Sequence, residues 1–177
     1  MNPAWHIRTG RLHLSPVAWQ DLPDLRALKG NPATYGQMLG GIRGEAAVAA
    51  ELAADITYWG AHGAGMWIVH PAAGGPALGL TGIHDRADGR SPALRYAFNP
   101  VARGHGLGRE AAGAALRFAH ENAGITRVFA VVRNDNIASR TVLGAIGMRL
   151  CETFQRDGQP VLVYESAATP PPAGAWR

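Results

Sequence analysis

Apolar and polar residues alternate over residues 6–17, where Ile7, Leu12 and Leu14 interleave with Arg8, Arg11 and His13. A period of two marks a half-buried strand, with Gly10 as an irregularity inside it. After Pro16 the period lengthens. "SPVAWQDLPDLRALKG" predicts a helix from about Ala18 to Lys29, closed by Gly30. Pro23 inside it implies a kink or a later start. Residues 31–44, with Gly36, Gly40 and Gly41, read as loop. Over 45–63 the apolar residues Val48, Leu52, Ile56 and Trp59 recur every three or four positions, which is the stripe of an amphipathic helix.

Short apolar runs at 65–71, 77–85 and 93–100 predict three strands, with a turn at "AAGGP" and a hairpin turn at Asp88–Gly89. Residues 109–124 read as a helix whose stripe, Ala112, Ala115, Leu116 and Ala119, is small enough to lie close to a sheet. The near-continuous apolar run 126–136 reads as a central parallel strand buried on both faces. A helix over 136–147 follows, with Asp135 or Asn136 as its N-cap and Gly147 at its end. Residues 148–166 read as a hairpin around Asp157–Gly158. The Pro/Ala-rich segment 167–177 reads as a flexible tail. The order is strand, two helices, three strands, helix, strand, helix, two strands. This predicts a single α/β domain over 1–166 with a mixed sheet, in which 93–133 forms a right-handed crossover.

Composition narrows the function classes. The 177 residues are 47% hydrophobic and 17% charged, which argues against disorder over most of the length. No apolar run reaches the roughly 18 residues of a membrane span. "MNPAWHIRTGRL" lacks the apolar core of a signal peptide, so a cytoplasmic location is expected. The net charge is +4, but the arginines are scattered and Lys29 is the only lysine. A nucleic-acid interface would need a dense basic stripe or an aromatic platform. The single cysteine, Cys151, excludes an internal disulfide and a paired-cysteine metal site. It reads as structural, and no metal is expected.

One stretch asks for a chemical explanation. "PVARGHGLGREAA" places Gly104, Gly106 and Gly108 at alternate positions directly before a helix. Glycine there permits either positive φ or close approach to the main chain. A helix N-terminus behind such a loop presents unpaired amides and a partial positive charge, a cradle for phosphate. A tight turn with nothing bound is the other reading. The spacing is not the dinucleotide pattern and lacks the Lys-Ser/Thr ending of a P-loop.

Arg103, Gly106 and Gly108 after one strand, with Asn136, Ser139 and Gly147 after the next, resemble the two motifs of the GNAT superfamily of acetyl-CoA-dependent N-acetyltransferases. The layout over about 7–166 resembles the branch that acetylates ribosomal-protein N-termini. The resemblance implies a mixed, mostly antiparallel sheet of about seven strands, with a central splayed parallel pair and about four helices. It implies acetyl-CoA as donor and a primary amine or protein N-terminus as acceptor, in a monomer or homodimer. It also implies that backbone amides over Arg103, Gly104, His105, Gly106, Leu107, Gly108 and Arg109 cradle the pyrophosphate. Ala97, Phe98 and Asn99 would pair with the pantetheine arm, and Asn136 would hydrogen-bond it. Ser139 would stand beside the sulfur, and the Phe98 amide would stabilise the oxyanion.

This chain departs from the family twice. Leu143 stands where many members carry a tyrosine acid, and Ala93 where many carry a glutamate base. His84 and Asp85 are the next candidates for the base by layout. Tyr35 and Trp59 fall in a region that builds acceptor pockets, though core packing is the commoner role for both. A catalytically idle coenzyme A-binding domain is the alternative reading. Protein N-termini, amino acids, polyamines and antibiotic amines all remain open as acceptors.

Overall fold

The alternating segment at the start of the chain folds back on itself at Gly10. It forms two short antiparallel strands, β1 (Ile7–Arg8) and β2 (Leu12–Pro16), rather than one. A computed structural model describes residues 2–168, so all of the expected tail beyond Ala168 lies outside the described residues. The first helix, α1 (Leu22–Lys29), starts later than the pattern alone suggests, because Pro23 fits only in a first turn. The segment expected as loop holds one short helix, α2 (Pro32–Tyr35), capped by the Asn31 side chain on the Ala33 amide. Then follow α3 (Glu45–His62), β3 (Met66–Pro71), β4 (Gly79–His84) and β5 (Ala93–Phe98). The chain continues through α4 (Leu107–Glu121), β6 (Arg127–Arg133), α5 (Ile137–Ala145), β7 (Arg149–Arg156) and β8 (Gln159–Ala167).

Among the described residues eight strands form one sheet in the order β1-β2-β3-β4-β5-β6-β8-β7. Every pairing is antiparallel except β5 with β6. The sheet is therefore mixed and mostly antiparallel, with one parallel pair at its centre, and it has one strand and one helix more than expected. The parallel pair meets at a single position, Ala93 with Phe129, where the Phe129 amide donates to the Pro92 carbonyl at 2.9 Å. Beyond that point the two strands part, and the sheet carries a wedge-shaped gap.

Strand alternation builds two cores. Trp67, Val69, Ile83, Leu94 and Phe98 face α4, while Met66, Ile68, Leu80 and Ala97 face α1–α3. The alanine stripe of α4 is fully buried, which lets that helix lie against the sheet beneath the gap. β6 is not buried on both faces as its apolar run suggests. Val128, Ala130 and Val132 are buried, but Phe129 and Val131 are only partly so, because that face borders the gap. Tyr35 and Trp59 are both core residues. The Trp59 indole N–H donates to the Met66 carbonyl at 2.8 Å, and its ring stacks on Trp5.

Candidate functional site

The glycine loop turns sharply at two positions. Gly104 and Gly106 have φ of +81° and +74°, a region that side chains with a Cβ avoid. Gly106 caps α4, and the first amide of that helix with a backbone partner is Glu110, which donates to the Gly106 carbonyl at 3.1 Å. Among the described residues, the amides from Gly104 to Arg109 have no backbone acceptor. Arg103 differs from the rest of the predicted cradle. Its amide donates to Pro100 at 3.1 Å, and its guanidinium donates to the carbonyls of Phe98 (3.1 Å) and Ala33 (2.6 Å). It is a strut that ties the loop to β5 and α2.

A second strut comes from the β1–β2 turn. Arg11 donates to the Glu110 carboxylate through Nε at 2.7 Å and to the His105 carbonyl through Nη1 at 2.8 Å. The Thr9 hydroxyl also donates to Glu110, at 2.5 Å. Burial would raise the Glu110 carboxyl, but Thr9 and Arg11 outweigh it and hold the group below its ordinary value. Sequence reasoning missed this tie, because its partners lie about a hundred residues apart.

A cleft of about 460 Å³ runs from this loop along the gap. Ala97, Phe98, Arg103, Gly104, Gly106, Leu107, Gly108, Arg109, Asn136 and Ser139 line it. Asn99 and His105 do not. His105 is exposed, and Asn99 is turned inward, its side chain donating to Ala77 at 3.1 Å and its amide to Leu78 at 2.9 Å. That last bond fixes the direction of its neighbours. Amides along an antiparallel strand alternate sides, so those of Phe98 and Tyr96 point away from β4 and into the gap, whereas that of Ala97 faces β4.

On the other wall, the Asn136 side chain caps α5 by accepting from the Ser139 amide at 3.0 Å. Ser139 then meets a residue the sequence reading overlooked. Its hydroxyl donates to the Tyr96 phenol oxygen at 2.8 Å, and the Tyr96 hydroxyl donates to the Ser139 carbonyl at 2.9 Å. Burial raises the Tyr96 phenol above its usual range despite the Ser139 bond, so it stays protonated. The one available signal was position. Tyr96 lies two residues before Phe98 on the same strand, hence on the same face.

Tyr96, Ser139, Asn136, Gln37 and Met38 also border a smaller pocket on the α1–α3 side. Arg43, Arg86, Arg95, Arg133 and His84 line that pocket, together with Ala93 and Leu143. Among the described residues no carboxylate lines it. His84 is a poor base. Burial, then the Arg95 charge, pushes its imidazole down to about 3. Its Nδ1 lies 2.6 Å from the Asp85 carbonyl, which makes Nδ1 the protonated nitrogen. Asp85 does not reach this pocket but borders a separate depression with Asp55 and Glu51.

A charged cluster lies beneath. Lys29, only 1% exposed, donates to Glu51 at 2.7 Å, and Arg43 meets the same carboxylate at 2.6 Å. Asp55 is 4.0 Å from Lys29, and burial raises its carboxyl to about 6. Cys151 lies exposed on the edge strand β7, with its thiol raised by burial and by Glu165, so no reactive thiolate forms there. Among the described residues there is no group of three metal-ligating side chains, and no helix long and apolar enough to cross a membrane.

Residues 11–149 match the acetyltransferase (GNAT) domain family. A comparison with curated proteins gives no sequence match. Among solved structures, an acetyltransferase from Agrobacterium tumefaciens is 26% identical, with a TM-score of 0.80 over 91% of this chain and 93% of that one. RimL, a ribosomal L7/L12 α-N-protein acetyltransferase in complex with coenzyme A, is similar at 15% identity, with a TM-score of 0.75 over 92% and 98% of the two chains. A spermidine N-acetyltransferase from Vibrio cholerae is similar at 14% identity, with a TM-score of 0.69 over 90% and 95%.

Proposed function

Because the chain belongs to the acetyltransferase (GNAT) domain family, we propose that it moves an acetyl group from acetyl-CoA to a primary amine in one ternary complex. The observation that carries this reading is the run of unpartnered amides from Gly104 to Arg109, at the mouth of a gap into which the Tyr96 and Phe98 amides also point. The helix N-terminus suits a pyrophosphate, and the open edge of β5 suits an amide-bearing arm laid along it as an added strand. Acetyl-CoA supplies a thioester already activated toward amines.

The chain's own groups then have distinct tasks. The α4 amides hold the phosphates, with Arg11 and Arg103 fixing the loop. The Phe98 amide donates to the carbonyl oxygen as charge develops on it. The Ser139–Tyr96 pair faces the leaving sulfur. A thiol ionises near 8.5, below the raised Tyr96 phenol, so full proton transfer from tyrosine to the thiolate runs uphill. One of the two hydroxyls therefore turns its hydrogen from its resting acceptor to the developing thiolate and stabilises it by a hydrogen bond, without giving up the proton. The amine attacks in its neutral form and loses its proton to solvent, since His84 is too weak a base.

Two measurements test this. A thermal melt is expected to rise with acetyl-CoA and not with NAD or ATP. Ligand at ~100 times its dissociation constant adds about 2.7 kcal/mol. Thiol release with an amine panel then separates turnover from idle binding, and no rise with any acyl-CoA overturns the assignment. For the sulfur side, Ser139→Ala and Tyr96→Phe are each expected to lower kcat roughly 10- to 100-fold, the worth of a hydrogen bond to a charged group. The KM for acetyl-CoA should move little. The double variant should lose little more than either single one, because the two hydroxyls act as one network. Additive losses, or an effect on KM alone, would refute the pair's role.

A further inference from the structure

The smaller pocket is lined by four arginines and, among the described residues, by no carboxylate. Three of the four are balanced from just outside its wall. Arg43 holds Glu51 at 2.6 Å, Arg133 holds Asp135 at 2.6 Å, and Arg86 holds Asp88 through two nitrogens. Arg95 is different. Its nearest carboxylate is Glu51 at 3.7 Å, and Glu51 is already engaged by Lys29 and Arg43. Its other neighbour, His84 Nδ1 at 3.4 Å, carries the proton that bonds Asp85 and so does not accept from a guanidinium. Lys29, Arg43 and Arg95 are thus three cations facing Glu51 and Asp55.

Arg95 has a side chain only 19% exposed. A mostly buried guanidinium that shares its one paired carboxylate with two other cations is incompletely compensated, and it presents five donors in a fixed fork suited to a carboxylate. It borders the smaller pocket together with Tyr96 and Ser139, which that pocket shares with the cleft, and on its other side the depression lined by Glu51, Asp55 and Asp85. The pocket is about 60 Å³, room for a few heavy atoms.

We propose that the acceptor is an amine that itself carries a carboxylate, and that Arg95 is the residue that receives it. This rests on the acetyltransferase reading and deepens it. A polycationic amine meets the wrong sign of charge here. The carboxylate docks on Arg95 and so places the amine of the same molecule at the gap beside Tyr96 and Ser139. Arg95 is a specificity residue: it binds the acceptor and takes no part in the bond changes.

The test pairs acceptors that carry a carboxylate or the matching amide, with acetyl-CoA saturating and rates compared per neutral amine. Serine is compared with serinamide. An amidated seryl-aspartyl dipeptide is compared with its seryl-asparaginyl counterpart, and spermidine is the cationic control. The wild type is expected to favour the carboxylate member of at least one pair in kcat/KM, and the pair that responds tells a free amino acid from a peptide end. Arg95→Gln should raise KM for that acceptor roughly 10- to 100-fold with kcat little changed, and Arg95→Lys should recover part of the loss. The fold is expected to hold, because Glu51 keeps Lys29 and Arg43, and a thermal melt of the variant checks it. Thermal stabilisation by the same acceptors, in the presence of coenzyme A, gives a readout independent of turnover. Equal use of both members of each pair, preference for spermidine, or no response to any carboxylate-bearing amine by an acetyl-CoA-binding wild type overturns the proposal. Failure to bind acetyl-CoA overturns the functional reading beneath it instead.

Discussion

Gly106→Asp is expected to remove acetyl-CoA binding while leaving the fold in place. Gly106 is the N-cap of α4 and has a φ of +74°. A Cβ built there meets only Arg11 Nη2, at 3.7 Å, so the side chain has room. The left-handed backbone costs a non-glycine residue about 1–2 kcal/mol, with aspartate among the more tolerant. The added carboxylate lies beside the amides proposed to hold the pyrophosphate and beside Arg11, so it repels phosphate and neutralises its nearest cation. Affinity should fall by more than about 100-fold, since losing a charged hydrogen bond alone costs about 1.5–3 kcal/mol and repulsion adds to it. Titration calorimetry with acetyl-CoA, run beside Gly106→Ala, separates charge from backbone strain. Alanine should keep most of the affinity. Unchanged binding in the aspartate variant would show that the phosphates do not sit at this helix end.

The largest effect on stability is expected from Glu51→Gln. Lys29, Arg43 and Arg95 all face this one carboxylate, and Lys29 is almost wholly buried. Removing the negative partner leaves a buried ammonium with only Asp55, at 4.0 Å. Breaking a buried pair from one side costs about 3–5 kcal/mol, whereas an exposed pair such as Arg26 with Glu45 contributes about 0–1 kcal/mol.

The effect has a pH signature. Burial alone would raise the Glu51 carboxyl, but Lys29, Arg43 and Arg95 bring it down to about 2, from 4.5 in the unfolded chain. A depressed carboxyl stabilises the fold fully above its unfolded value and loses that contribution as pH falls through its folded value. The gap between wild type and variant should therefore be full at pH 7 and shrink between about pH 4.5 and 2. Urea unfolding across that range measures it. A gap below about 1 kcal/mol at neutral pH, or one that ignores acid, would show that the cluster does not stabilise the fold.

Most of the element list could be read along the chain, because burial on one face imposes a period of two or three to four on contiguous residues. Asp157–Gly158 was legible as a hairpin turn for a local reason as well: both residues take positive φ, and few other pairs do so easily. Asn136 was legible as a cap because capping reaches only three residues on. The misreadings have the same root. An apolar run implies burial of β6 on two faces, but what covers each face depends on distant helices. α2 was hidden among glycines because four residues carry too little periodicity.

What the sequence determined by itself was local: the glycine loop ahead of a helix, the asparagine cap, the alternation of strands, and the motif order that marks the GNAT family. What only the tertiary structure decided was which side chains share a space. Arg103 turned inward as a strut, Tyr96 met Ser139 from 43 residues away, and Glu110 was tied to Thr9 and Arg11. The state of His84 and the underpaired Arg95 were decided in the same way. The reason is physical. Backbone conformation follows from neighbours in the chain, but electrostatics and hydrogen bonding act through space over a few ångströms, between groups that only folding brings together.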